Sequence, residues 1–416
     1  MNAFRIPTTL FALCLFGALT KTAWTEEAVK SGAEGVNKEF PIPRAEAMDP
    51  PAPEELEKSI QRGIDFLLKI QIKQGAWGSA RQTRGLDVYA PVPGAHHGFR
   101  AGATALCLMA LMESGDDRPE VQEAIDRGEA WWLKDGLHVR RADEDAMYNI
   151  WAHTYGLRAL LQLQKRAGDE DGPHQEKIAE IKDAIDLQID LLNRYESVNG
   201  GWGYYDFGAH TQKPASMPTS FTTATCLIAL KEARDAGFEV DEKLFTRGKS
   251  VLNHQRKVDF SYLYSANHWW WPQYQINRPA GSLGRSQVCN LALRRLGQEN
   301  VTEQVLIDWL DRLFARNLWL DIGRKRPIPH ESHFAIAGYF YYYAHYYAAL
   351  CMDELPPEKR PRFQAFMAHK LMSLQERDGD WWDFPLYDYH RQYGTAYAIM
   401  SLIRCRADRK VVGDAL

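Results

Sequence analysis

Three short stretches of the 416-residue chain carry one signature: residues 71–77 read QIKQGAW, residues 196–202 read ESVNGGW and residues 375–381 read QERDGDW. The shared pattern is QxxxGxW, with Glu196 standing where the other copies have Gln71 and Gln375. Its spacing has a physical reading. The side-chain amide caps a helix end, the glycine supplies a left-handed turn, and the tryptophan folds back over a neighbouring helix.

On either side of these loops the chain reads as amphipathic helix. The stretch PEELEKSIQRGIDFLLKIQ places Leu56, Ile60, Ile64 and Leu67 on one face, with Pro53 and acids at its start. The same test along the chain predicts about twelve helices, near 54–73, 99–114, 119–134, 145–166, 175–196, 219–236, 241–256, 283–297, 302–317, 331–353, 358–376 and 393–406, and no strands. Odd-numbered helices begin roughly every 60 residues and each precedes a more apolar one, so the pattern is six copies of a helical pair. Six hairpins can close a ring.

Inner helices open with small residues, TSFTTATCLIAL from Thr219 and YGTAYAIMSL from Tyr393, which permits close packing. With the QxxxGxW loops and the sixty-residue period, these stretches resemble the terpenoid cyclase and protein prenyltransferase superfamily, above all its squalene-cyclase-type repeats. The resemblance covers essentially the whole domain. It implies an all-α fold, an α/α toroid with inner and outer rings, a central cavity, and functional groups at the N-terminal ends of the inner helices. It fixes no chemistry, because one scaffold hosts many.

Two family chemistries lack their residues. Squalene-type cyclases protonate an alkene with a DxDD aspartate, and no DxDD is present. The nearest acidic run, ADEDAMYN, holds Asp143, Glu144 and Asp145 where acids are expected to cap a helix and complement its dipole. Prenyltransferases hold zinc with an Asp-x-Cys pair and a later His. Here Gln287 stands two residues before Cys289, and His330 and His333 do not complete the four-ligand set zinc prefers. No metal and no cofactor is therefore expected.

The N-terminus, MNAFRIPTTLFALCLFGALTKTAWTEE, has the layout of a secretory signal over residues 1–25. A flexible lead over 26–53, a toroid over 54–408 and a tail over 409–416 complete the expected organisation, with a secreted or periplasmic destination. The apolar run is shorter than the roughly 20 residues that span a bilayer. Fifty Lys and Arg against 54 Asp and Glu, without a basic stripe, exclude an electrostatic nucleic-acid binder. After the leader, Cys107, Cys226, Cys289, Cys351 and Cys405 lie in apolar helical patterns and are expected as buried free thiols.

The central pocket is expected to be rich in His and aromatic residues. Its candidate lining includes His96, His97, Arg100, Tyr148, Asn149, His153, Asp206, His210, His268, Trp269, Trp270, Trp271, Arg278, Arg285, His330, His333, Trp382, Asp383, Tyr387, His390, Arg391 and Tyr393. Of these, His153, Tyr148, Asn149, Arg285 and His333 are candidate catalytic groups. His97, Arg100, Asp206, His268, Trp269, Trp270, Trp382 and Tyr393 are candidate ligand contacts. Asn149 and His153 share a helical face, and in HWWWPQYQINRP at least one of the three tryptophans is expected to face the cavity.

Three functions fit this sequence. One is an exported binder of a small-molecule or glycan ligand in the central cavity, up to a terpenoid-cyclase-like enzyme on an apolar substrate. Another is a polysaccharide lyase on uronic polymers, with Asn149 and Arg285 neutralising a carboxylate and His153 and Tyr148 as base and acid. The third is a non-catalytic scaffold for a peptide or protein.

Overall fold

A computed structural model describes residues 42–84, 94–168, 175–207, 213–215 and 217–407. The leader, most of the lead segment, His210 and the C-terminal tail fall outside the described residues. Twelve long helices follow in order: α1 Pro53–Ile70, α2 Ala95–Ser114, α3 Pro119–Trp131, α4 Asn149–Ala167, α5 Gln175–Arg194, α6 Ser220–Asp235, α7 Glu242–Gln255, α8 Leu283–Arg295, α9 Glu303–Ala315, α10 Phe340–Asp353, α11 Arg360–Ser373 and α12 His390–Ile403. Among the described residues no strand forms, only isolated bridges such as Ala146 with Tyr205.

The even-numbered helices make the inner ring. Each packs on the next, from α2 through α4, α6, α8 and α10 to α12, and α12 packs back on α2, so the ring is closed. They are apolar nearly all round, as fully buried helices must be, and the odd-numbered helices bury one stripe against them. The protein is an all-α α/α toroid. The close antiparallel pairs are shifted by one helix from the expected hairpins: α2 packs on α3, α4 on α5, α6 on α7, α8 on α9 and α10 on α11. Several of these pairs join through short turns, at 115–118, 236–241, 296–302 and 354–359. The sixth pair unites the two ends of the domain, α12 with α1.

The signature loops fasten this ring at one end. Gly75, Gly200 and Gly379 have φ of 100°, 91° and 97°, the left-handed turn expected of glycine. The indole N–H of Trp77, Trp202 and Trp381 donates to Leu67 O, Leu192 O and Leu371 O at 2.7–2.8 Å. Their backbone N–H groups donate to Thr104, Thr223 and Thr395 Oγ1 at 3.0–3.1 Å. That bond gives the Thr-Ala opening of the inner helices a purpose beyond small size.

The amides do not cap helix ends. Gln71 Nε2 donates to Gly75 O and Ala124 O, and Gln375 Nε2 to Gly379 O and Ser59 O, each tying its loop to the next outer helix. An arginine on that helix answers: Arg127 to Gln71 Oε1, Arg62 to Gln375 Oε1 and Arg247 to the Glu196 carboxylate. Because Arg62 lies on α1 and Gln375 beyond α11, the Arg62–Gln375 clamp also joins the first and last parts of the toroid. Burying each tryptophan removes roughly 150–250 Å² from water, worth about 4–6 kcal/mol, against about 1 kcal/mol for a hydrogen bond.

Helix α4 starts at Asn149, so the acids of ADEDAMYN do not cap it. Asp143 Oδ1 instead accepts from the N–H groups of Asp145 and Ala146, closing its own turn. The predicted helix from 331 begins only at Phe340, because His330 and Ala335 have φ of 62° and 55°, and Gly338 passes so close to Asp383 O that a Cβ would stand 2.5 Å from it. Cys107, Cys226, Cys289 and Cys351 are buried free thiols, and Cys405 is free and half-buried.

At the end of the ring opposite the signature loops, each inner helix or the residue just past it contributes a charge of alternating sign. Glu113 (α2), Arg158 (α4), Glu232 (α6), Arg295 (α8), Asp353 with Glu354 (end of α10) and Arg404 (end of α12) form this belt. Arg158 meets Glu232 at 2.7 Å, Arg295 meets Glu354 at 2.8 Å and Glu232 at 3.4 Å, and Arg404 meets Glu113 at 2.6 Å and Asp353 at 3.1 Å. Inside the belt, the guanidinium groups of Arg158 and Arg404 lie 5.5 and 5.6 Å from the ring centre of the buried Tyr346.

Candidate functional site: an aromatic central cavity

A cavity of about 160 Å³ lies within the inner ring, toward the N-terminal ends of its helices. Among the described residues eighteen line it, thirteen of them aromatic, with no charged side chain and no histidine. Phe99, Tyr148, Tyr204, Tyr339, Leu386 and Tyr389 surround its upper part, and Leu106, Tyr155, Tyr343 and Tyr397 lie deeper. The rings interlock: Trp151 stacks with Phe221 at 6.1 Å and with Tyr155 at 6.3 Å, and Tyr148 with Tyr204 at 6.2 Å.

The polar side-chain atoms of this wall are chiefly phenol hydroxyls, held by other phenols, by Thr225, and, for Tyr339 and Tyr389, by His330 and His96 behind the wall. Tyr397 donates to Tyr155 at 2.5 Å, Tyr343 pairs with Thr225 at 2.7 Å, Tyr148 pairs with Tyr205, and Tyr204 pairs with Tyr264. Burial pushes the Tyr155, Tyr343, Tyr393 and Tyr397 phenols well above their ordinary range, so they remain protonated. The wall is uncharged and pre-arranged.

One acid stands directly behind it. Tyr393, a lining residue, donates from its hydroxyl to Asp383 Oδ1 at 2.8 Å, and the Tyr342 N–H in the first turn of α10 donates to Asp383 Oδ2 at 3.0 Å. Burial pushes the Asp383 carboxyl up to about 7, although both hydrogen bonds and the nearby Arg324 favour its anion. This residue therefore changes charge near neutrality.

Of the expected site residues, the structure places Tyr148 and Tyr393 on the cavity wall and the others elsewhere. Tyr148, Trp151 and Tyr155 occupy the inward face of α4 and its start. Asn149 and His153 are offset by one residue and face α5, where His153 Nδ1 meets Gln188 Oε1 at 2.8 Å and its other nitrogen meets Asn149. Burial lowers His153 to about 4. Arg285 donates to Gly281 O at 2.8 Å, to Tyr262 O at 2.7 Å and to Ile276 O, locking the loop before α8, and burial lowers it to about 10.

The remaining candidates are dispersed. His333 is exposed beside Phe334, and His97 is exposed at the start of α2. Arg100 donates to Gly78 O, and the fully buried Asp206 pairs with Arg141 at 2.9 Å. His268 meets Asn277 Oδ1 at 3.2 Å. Trp382 lies between Arg84 and Lys325, whose cations stand 4.4 and 4.5 Å from its ring. Trp269, Trp270 and Trp271 are all exposed and none lines the central cavity, whose described lining is aromatic and holds no histidine. Cys289 is packed, with its thiol pushed up to about 12 by burial. Among the described residues no three His, Cys, Asp or Glu side chains group to hold a metal, and no helix is long and apolar enough to cross a membrane.

Phe99, Trp151, Tyr155, Tyr204, Phe221, Tyr339, Phe340, Tyr343, Phe384, Tyr389 and Tyr397 belong to the wall but not to the candidate lining read from the sequence. For those on helices the signal is an aromatic residue in the first half of every even helix but α8, whereas Tyr204, Tyr339, Phe384 and Tyr389 lie in the loops between them.

No family model matches the sequence, and no curated protein matches it. Solved structures do. D-mannose isomerase is 14% identical over 86% of this chain and 99% of its own, with a TM-score of 0.52. An inactive variant of an α-1,6-mannanase from Salegentibacter sp., solved with α-1,6-mannotriose, is 13% identical over 85% of this chain and 99% of its own, with a TM-score of 0.51. A type II terpene cyclase from Scytonema is 14% identical over 85% and 98%, with a TM-score of 0.44. At such identities the likeness is one of fold: the chain shares the α/α toroid class with proteins of unrelated chemistries.

Proposed function

We propose that the chain is an exported ligand-binding toroid whose central cavity holds an apolar, isoprenoid-like group. The observation that carries this reading is the wall itself, thirteen aromatic residues of eighteen with no formal charge. Such a surface rewards removal of hydrocarbon from water and offers π-faces to it. At about 160 Å³ the cavity compares with the roughly 150 Å³ apolar cavity that takes up benzene. It suits one ring or one short branched segment, with the rest of a longer ligand directed toward the N-terminal ends of the inner helices.

Binding is favoured over cyclisation by alkene protonation. That reaction needs a carboxylic acid in contact with the substrate, whereas Asp383 stands behind Tyr393 and outside the lining, and no DxDD supplies another. A uronate lyase would need Arg285, His153 and Asn149 to converge on one carboxylate. Arg285 is committed to backbone carbonyls and His153 faces the outer ring.

The test is organic extraction of the purified protein followed by mass spectrometry, with farnesol uptake measured on the emptied protein. Ala103 lines the cavity, so Ala103→Phe is expected to abolish ligand retention while leaving helical circular dichroism unchanged. Empty extracts together with no farnesol uptake would overturn the reading. The export element is tested by N-terminal sequencing of the expressed protein, expected to begin close to Glu26.

A further inference from the structure

Exposed tryptophan is uncommon, and three in succession on one surface require a cause. Trp269 and Trp270 are 55% and 76% exposed, yet the turn that carries them is firmly built. Asn277, fully buried, donates to Trp271 O at 2.9 Å and accepts from the Tyr264 N–H at 2.9 Å. Ala266 N–H donates to Pro218 O, and His268 N–H to Ser265 O, closing the helical turn Ala266–Trp270. The indoles are therefore displayed on a rigid platform.

Beside them runs a groove of about 720 Å³ that shares no lining residue with the central cavity. That volume is within the roughly 300–1,000 Å³ of ligand sites. The groove that the two indoles line also presents polar side chains: Asn199 from the second signature loop, Ser250, His254 and Gln255 from α7, and Asn267. No Asp, Glu, Lys or Arg lines it among the described residues. Gln255 is 1% exposed; its amide N–H donates to Pro218 O at 2.9 Å while its Oε1 has no partner. A buried acceptor left unmatched costs stability and points to a donor the structure does not hold.

We propose that this groove is a second binding site, for a neutral glycan. The apolar C–H faces of pyranose rings stack on indoles, hydroxyl groups pair with amides and imidazole, and Gln255 Oε1 accepts one hydroxyl proton. An acidic polymer finds no Lys or Arg in the described lining, and a lipid chain would leave the amides unpaired. The site is independent of the ligand in the central cavity.

The experiment is titration of the purified mature protein with cellohexaose, xylohexaose and mannohexaose, read by tryptophan emission and calorimetry. At least one is expected to bind and to quench emission. Trp270→Ala and Trp269→Ala should each weaken that binding by about tenfold or more, and the cavity-filling Ala103→Phe should leave it unchanged. Trp270 is exposed enough that its removal does not threaten folding. Failure of all three oligosaccharides to bind at millimolar concentration would overturn the proposal. So would a blue shift of emission on phosphatidylcholine vesicles that Trp270→Ala abolishes without any response to the sugars, which would make the surface a membrane contact.

Discussion

Tyr393 and Asp383 form a hydrogen-bonded pair across the cavity wall, the phenol inside the lining and the carboxyl just behind it, 2.8 Å apart. The carboxyl also receives the Tyr342 N–H, so it binds the first turn of α10 to the loop leading into α12. Two inner helices thus meet through one acid that titrates near neutral pH.

A raised carboxyl pKa has a defined sign. Between its ordinary value of 3.8 and about 7, the folded state binds a proton the unfolded state has lost, so this group's contribution falls as pH rises through that window. Asp383→Asn removes the effect. In thermal melts from pH 4 to 8, the variant is expected to gain stability relative to the parent as pH rises, levelling above about 7. Parallel curves would show that the carboxyl does not titrate there.

Three buried histidines push the other way. His153, His345 and His390 are each lowered to about 4 by burial, so their contribution is lost as pH falls from about 6.5 toward 4, where the unfolded chain takes up protons first. His153→Gln should make the protein less sensitive to acid in that range. The same variant should retain farnesol uptake, since His153 does not touch the cavity.

Gly75 and Gly115 separate backbone strain from steric contact. Both have positive φ, 100° and 68°, but a Cβ on Gly75 would stand 2.2 Å from Arg127 O, while one on Gly115 meets nothing within 4 Å. Gly115→Ala is expected to cost about 1 kcal/mol, and Gly75→Ala about 3 kcal/mol or more, because loop and outer helix must part. Urea unfolding of the two variants compares them, and equal costs would refute the clamp.

Arg404 is nearly buried and answers Glu113 and Asp353 together. Arg404→Met removes the cation the two acids share and should cost about 3–5 kcal/mol. Adding Glu113→Gln should recover part of that loss, a coupling a double-mutant cycle measures.

The fold was legible because it rests on periodicity and on three loops whose glycine and tryptophan have one workable geometry. What escaped was the partner of each loop. Arg62-Gly63, Arg127-Gly128 and Arg247-Gly248 repeat in three outer helices, where the arginine reaches a loop and Gly63 and Gly128 make room for Trp381 and Trp77. That dipeptide is visible in the sequence, but its meaning requires knowing that each loop meets the following outer helix. The site was less legible for a related reason. Spacing correctly put Asn149 and His153 on one face, but nothing in it told which face turned inward; the aromatic residues at Tyr148, Trp151 and Tyr155 held that information. Polar side chains drew notice as chemistry, whereas Arg285 and His268 serve neighbouring loops.

The alternating belt of Glu113, Arg158, Glu232, Arg295, Asp353 with Glu354, and Arg404 has an arithmetic consequence. Signs can alternate around a circle only when its members are even in number, so deleting or duplicating a single helical pair would set two like charges side by side at a poorly hydrated junction. Growth or shrinkage by two pairs would keep the alternation intact. The annulus thereby counts its own repeats, and a five- or seven-membered version of this chain would have to rewrite that junction before it could close.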